Sequence, residues 1–134
     1  MEGVLVDSNI ILDVILNDQK WADWSEIKLE ECSRSHILYI NSVIYSEISI
    51  GFNLIEDLEQ VIAIAGFKML DIPREALFLA GKAYISYKRR KGIKNTLLPD
   101  FYIGAQAAVL NLKLLTRDVS GYKTYFPNVY LISP

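Results

Sequence analysis

Four acidic residues stand at comparable places in this chain: Asp7, Glu47, Asp100 and Asp118. Asp7 follows the apolar run Val4-Leu5-Val6 and is followed in turn by Ser8 and Asn9. Glu47 falls in a helical stretch after a second apolar run, Asp100 comes directly after Pro99, and Asp118 lies two residues beyond Thr116. On a helix the neighbours of Glu47 are Val43, Ile44, Ile50 and Gly51, and those of Asp100 include Ile103 and Gly104, so both acids interrupt a face expected to be buried. A lone carboxylate there is costly to ionise, and its pKa rises. Several such groups together repel unless a cation neutralises them, and a hard divalent ion such as Mg²⁺ or Mn²⁺, held by oxygen ligands, meets that requirement. Taken singly, Asp7 and Asp100 also read as helix N-caps and Asp118 as a turn residue. Capping leaves the acid inside the apolar face of the Glu47 helix unexplained.

The remaining inventory narrows the chemistry further. Cys32 is the one cysteine and His36 the one histidine. A Cys/His zinc site would lack ligands, and a serine triad would have to use His36 without any G-x-S-x-G turn. A single cysteine allows no intrachain disulfide, which suits a reducing compartment. The net charge of −2 means that any nucleic-acid contact must come from a local patch. No apolar run approaches membrane-spanning length and the first residues lack the pattern of a signal peptide. The expectation is a cytoplasmic protein without a membrane partner, folded as one domain over residues 1–134.

The elements that must position the acids follow from the apolar periodicity. Strands are expected over 4–6, 37–40, 67–72, 113–116 and 129–132. Helices are expected over 9–16, 21–35, from a cap at Asn41 or Ser42 to 52, over 54–65 ending at Gly66, over 73–91, and over 100–111. A loop over 93–99 precedes the last of these. Strands alternating with helices argue for an α/β fold whose mainly parallel sheet of about five strands is covered on both faces. Such sheets bind ligands beyond the carboxyl ends of their strands, and all four acids can project toward that edge.

The stretches VLVDSNIILD, VIYSEI, LPDFYIGAQA and LLTRD resemble the acidic motifs of PIN-domain ribonucleases, and more narrowly those of VapC toxins from toxin–antitoxin pairs. The resemblance runs over nearly the whole chain. It implies a three-layer α/β/α PIN-like fold and a metal-dependent endoribonuclease. It places Asp7, Glu47, Asp100 and Asp118 at the four catalytic acidic positions, with Asp7 and Asp100 as the principal Mg²⁺ or Mn²⁺ ligands and Glu47 and Asp118 as further candidates. Ser8, Asn9 and Thr116 match positions close to the metal. It further implies an RNA substrate, a cognate antitoxin and a homodimer. The chain departs from the pattern once: many relatives carry another acid shortly after the TRD-like motif, where Val119-Ser120-Gly121-Tyr122 supplies none.

Secondary features have two readings each. Lys88, Arg89, Arg90, Lys91 and Lys94 form a dense basic cluster that could grip an RNA backbone or simply complement a helix C-terminus. Arg117 could meet phosphate, an antitoxin or solvent. Tyr84, Tyr87, Tyr102, Tyr122, Tyr125 and Phe126 could stack bases, although core or rim packing is the ordinary role of such rings. Trp21 and Trp24 read as core packing, and the resemblance adds a place beside an antitoxin groove. Asp13 reads as support for the site or as a local cap. Two other functions fit less of the pattern: a non-toxic RNA-processing nuclease of the same fold, and a non-catalytic receiver-like module. A receiver needs adjacent acids after its first strand, and Asp7 is followed by Ser8.

Overall fold

A computed structural model describes residues 1–94 and 98–134. In chain order the elements are β1 (Gly3–Val6), α1 (Ser8–Ile15), α2 (Ala22–Ser35), β2 (Ile37–Ile40), α3 (Ser42–Ile48), a 3₁₀ turn (Ser49–Gly51), α4 (Ile55–Ala65), β3 (Lys68–Met69), α5 (Arg74–Arg89), α6 (Pro99–Leu110), β4 (Lys113–Leu115), α7 (Ser120–Tyr125) and β5 (Leu131–Ile132). The five strands form one sheet in the order β3-β2-β1-β4-β5, and every pairing is parallel. Parallel neighbours need crossovers, and the helices that make them cover the sheet in a three-layer α/β/α arrangement. Among the described residues no helix is long and apolar enough to cross a membrane.

The strand order contains the feature that matters for function. From β1 the chain moves outward through β2 to β3, then returns to place β4 on the other side of β1. The crevice at the carboxyl ends of β1 and β4 is therefore the switch point at which such sheets take ligands. Val4, Leu5 and Val6 of β1 and Leu114 and Leu115 of β4 are fully buried, as central strands covered on both faces should be. Ile10, Ile44, Ile48 and Ile103 pack on them from α1, α3 and α6.

A buried polar clamp fixes α3 against α6. Asn41 caps α3 by accepting from the Ile44 N–H at 2.8 Å, which settles the cap between Asn41 and Ser42. Its Nδ2 donates to Gln106 Oε1 at 2.7 Å. Gln106 Nε2 in turn donates to the carbonyls of Leu70 and Asp71. Both side chains are wholly buried, where an unpaired amide would be costly. The clamp therefore holds α3 and α6, the helices of Glu47 and Asp100, in register with the chain leaving β3.

Several boundaries differ from the sequence expectation. The helix expected to run to 52 stops at Ile48 and passes into the 3₁₀ turn. There the Ser49 hydroxyl donates back to the Ser46 carbonyl at 2.6 Å, a competing local bond that loosens helical continuation. The strand expected over 67–72 is reduced to two residues, since it lies at the sheet edge and pairs with β2 alone. Of the loop expected over 93–99, residues 95–97 lie outside the described residues. Helix α7 has no counterpart in the sequence expectation. Its Phe126 neighbour lies so close to α6 that a β-carbon at Gly104 would collide with the ring, and the glycine is what permits the approach.

Candidate active site

Asp7 ends β1 and caps α1. Its Oδ1 accepts from the Ser8 N–H at 2.8 Å, so the capping role read from sequence is real. The side chain does more than cap. Oδ2 accepts from Thr116 Oγ1 at 2.9 Å and from the Tyr122 hydroxyl at 2.9 Å, with Asn9 Nδ2 at 3.4 Å. Thr116 follows β4, so the bond ties together the ends of the two central strands. Asn9 also donates to Thr116 Oγ1 and accepts from the Arg117 N–H. Ser8, Asn9 and Thr116 thus all lie around the Asp7 carboxylate.

Glu47 reaches the same crevice from α3, where Ser8 Oγ donates to its Oε1 at 2.9 Å. Of its expected neighbours, Ile44 is buried, but Ile50 lies past the end of α3 and is exposed. Asp100 enters from the first turn of α6, beside buried Ile103 and Gly104. Its Oδ1 accepts from Tyr122 at 3.1 Å. Asp118 stands apart on the exposed rim; its backbone N–H, not its carboxylate, bonds to Thr116 Oγ1. The structure therefore links Asp7, Glu47 and Asp100 through hydroxyls, and leaves Asp118 as a neighbouring charge.

The electrostatics follow from that crowding. Burial pushes the Asp100 carboxyl up to about 6, and the charges of Asp7 and Asp118 add to the rise against the bond from Tyr122. Burial likewise raises Asp7, opposed by its hydrogen bonds from Thr116, Tyr122 and Ser8 and reinforced by Glu47. Glu47 is raised by burial and by Asp100, with Ser8 opposing. Among the described residues no salt bridge reaches Asp7, Glu47 or Asp100. The chain gathers negative charge in a half-buried crevice, and the described residues supply no side-chain cation to balance it.

This donor set fits a hard divalent ion. It is all oxygen, from carboxylates and hydroxyls, the set preferred by Mg²⁺ and Mn²⁺. As the side chains stand, no three His, Cys, Asp or Glu groups among the described residues converge closely enough to enclose an ion. Mg²⁺ commonly keeps several waters and binds through one or two carboxylates, rather than in a closed protein cage. A cavity of about 480 Å³, lined in part by Glu2, Gly3 and Lys113, lies at the opposite ends of β1 and β4, away from these acids.

Two of the candidate RNA-contacting side chains, Arg117 and Lys88, have partners within the chain. Arg117 does not reach out freely: its Nε and Nη2 donate to the two oxygens of Asp13 at 2.8 and 2.9 Å, and its guanidinium lies 5.5 Å from the Trp21 ring centre. Asp13 is buried and also accepts from Ser25 Oγ at 2.7 Å. The bidentate geometry of a guanidinium on a buried carboxylate explains why the arginine is held, and it gives Asp13 the task of holding that arginine beside Asn9. In the basic cluster, Lys88 Nζ donates to the Gly92 carbonyl at 2.9 Å and helps end α5. Arg89, Arg90, Lys91 and Lys94 are exposed, with Arg90 over the Tyr125 ring. Tyr84, Tyr87, Phe101 and Tyr125 pack mainly on one another.

Tyr122 is the site residue that sequence reasoning passed over. It is buried and bonded to both Asp7 and Asp100. Burial and the two acids push its phenol well above the ordinary value, so it remains a donor at neutral pH. Tyr122, Tyr125 and Phe126 lie at i, i+3 and i+4, the spacing that marks one face of a helix. That spacing could have revealed α7 and an inward-facing ring.

Comparison with known proteins agrees with the geometry. The PIN domain family matches residues 4–126. No curated protein sequence matches the chain. Among solved structures, VapBC2 from Rickettsia felis bound to a promoter DNA fragment is similar at a TM-score of 0.73 and 20% identity, covering 98% of both chains. VapBC-1 from nontypeable Haemophilus influenzae is similar at 0.72 and 19%, covering 97% of this chain and 96% of the other. FitAcB from Neisseria gonorrhoeae gives 0.68 and 17%, covering 96% of each. With its strand-end acids at the switch point of a parallel sheet and a match over most of its length, the chain belongs to the PIN domain family.

Proposed function

We propose that the chain forms a single PIN-like nuclease domain over residues 1–134 that hydrolyses RNA phosphodiester bonds with a divalent cation, as the toxin of a VapBC-type pair. The carrying observation is that hydroxyls of Ser8 and Tyr122 link Asp7, Glu47 and Asp100 beside the β1–β4 switch point, without a compensating side-chain cation among the described residues. Asp7 and Asp100 would hold Mg²⁺ or Mn²⁺, with Glu47 and Asp118 as further oxygen donors. When bound, such an ion lowers the pKa of water and offsets charge developing on the phosphate. Ser8 fixes one oxygen of Glu47 and leaves Oε2 to orient the attacking water. Thr116 and Asn9 hold Asp7 in one orientation. The exposed cations at the end of α5 lie shortly before Asp100 in the chain and would draw in the RNA backbone.

An antitoxin partner is supported by the similarity to VapBC and FitAcB complexes. A homodimer would bury Leu77, Phe78 and Ile85, apolar side chains that α5 leaves exposed. A cytoplasmic location accords with the unpaired, buried Cys32, as a reducing compartment would keep it. The test is incubation of total RNA with purified protein in Mg²⁺, Mn²⁺ or EDTA, beside Asp7→Asn. Cleavage that needs the metal and disappears in the variant is expected. Equal cleavage by Asp7→Asn would remove the assignment.

A further inference from the structure

The Tyr122 hydroxyl stands 2.9 Å from Asp7 Oδ2 and 3.1 Å from Asp100 Oδ1, yet it carries one hydrogen. The two carboxylates therefore share it in a forked bond or compete for it. A phenylalanine would fill the same space in the core, and a buried hydroxyl is costly unless it is paired. The two acids also differ in their other support. Asp7 is held by Ser8, Asn9 and Thr116 as well. For Asp100, Tyr122 is the one hydrogen-bond donor to the carboxylate among the described residues. Without the phenol, nothing in this network would fix how the Asp100 carboxylate is turned or how far it stands from Asp7.

We infer that Tyr122 is a positioning residue of the acidic site: its hydroxyl sets the orientation of Asp100 and its spacing from Asp7, presenting their oxygens to a divalent cation. The inference rests on the divalent-ion reading above. It gives the segment after Thr116-Arg117-Asp118 a part in the site even though that segment carries no further acid. Partners that orient metal ligands commonly change affinity by about 10–100-fold when removed.

The test is calorimetric titration of Mn²⁺ into the wild-type protein, Tyr122→Phe and Tyr130→Phe. Tyr130 is exposed before β5 and serves as a control for loss of a phenol. Tyr122→Phe keeps the ring that packs the core, and unchanged far-ultraviolet circular dichroism verifies its fold. Its Mn²⁺ affinity is expected to fall about tenfold or more, while Tyr130→Phe matches wild type. The Mn²⁺ concentration for half-maximal RNA cleavage should rise in parallel. Wild-type affinity in Tyr122→Phe would overturn the inference, as would slower cleavage at every Mn²⁺ concentration with affinity unaltered. Absence of Mn²⁺ binding by the wild-type protein would instead remove the divalent-ion reading, and this inference with it.

Discussion

Replacing Asp100 by asparagine should stabilise the metal-free protein while destroying its capacity to bind a cation. In the unfolded chain the Asp100 carboxyl ionises near its ordinary value of 3.8, whereas in the fold it keeps its proton up to about 6. Below about pH 4 both states are protonated and the group contributes nothing. Between about pH 4 and 6 the folded state holds more protons, so stability falls as pH rises, and above about 6 the whole penalty applies. The rise in pKa corresponds to about 3 kcal/mol. Partial exposure of the side chain screens this to about 1–2 kcal/mol. The substituted amide carries no such penalty, and its Oδ1 can still accept from Tyr122. Urea denaturation in EDTA should find Asp100→Asn more stable than wild type by that amount at pH 8, with the curves converging toward pH 4. Added Mn²⁺ should stabilise the wild type by mass action and leave the variant unmoved. A variant less stable than wild type at pH 8, or a difference independent of pH, would show that burial does not penalise the ionised Asp100.

Asn41→Ala removes the cap of α3 and leaves the buried Gln106 Oε1 without its donor; urea denaturation should show a loss of about 2–3 kcal/mol, together with slower RNA cleavage as Glu47 loses its register. Arg117→Met strands Asp13 as a buried charge and should cost about 2–3 kcal/mol in the same assay, without altering the salt dependence of RNA binding. Neutralising Arg89 and Arg90 together as glutamines should weaken RNA binding and flatten the slope of log affinity against log salt by about 1.4, as read by fluorescence anisotropy across a salt series.

The parallel sheet and the strand-end placement of the acids were legible because each rests on local pattern. Short apolar runs alternate with helical stretches, and Glu47 breaks an otherwise apolar helical stripe. Helix α7 escaped because it is short, begins Ser120-Gly121, and has no capping side chain; its stability comes from packing Tyr122 and Phe126 into the core. The strand expected over 67–72 is present as β3, but its shortness escaped because the extent of an edge strand is defined by its single neighbour. The pairing of Arg117 with Asp13 spans 104 residues and that of Tyr122 with Asp7 spans 115. Nothing local encodes such contacts. Arg117 therefore read as a surface cation, although the fold had a buried carboxylate for it, and Tyr122 read as one aromatic ring among many.

On the function proposed above, Asp7 and Asp100 hold a divalent cation in the crevice at the ends of β1 and β4, and crystals grown with Mn²⁺ and measured at the manganese absorption edge would reveal it. An anomalous peak within bonding distance of both carboxylates, absent from crystals of Asp7→Asn, is the predicted result. An empty crevice at saturating Mn²⁺, or a peak that survives in Asp7→Asn, would rule out an ion held by these two carboxylates.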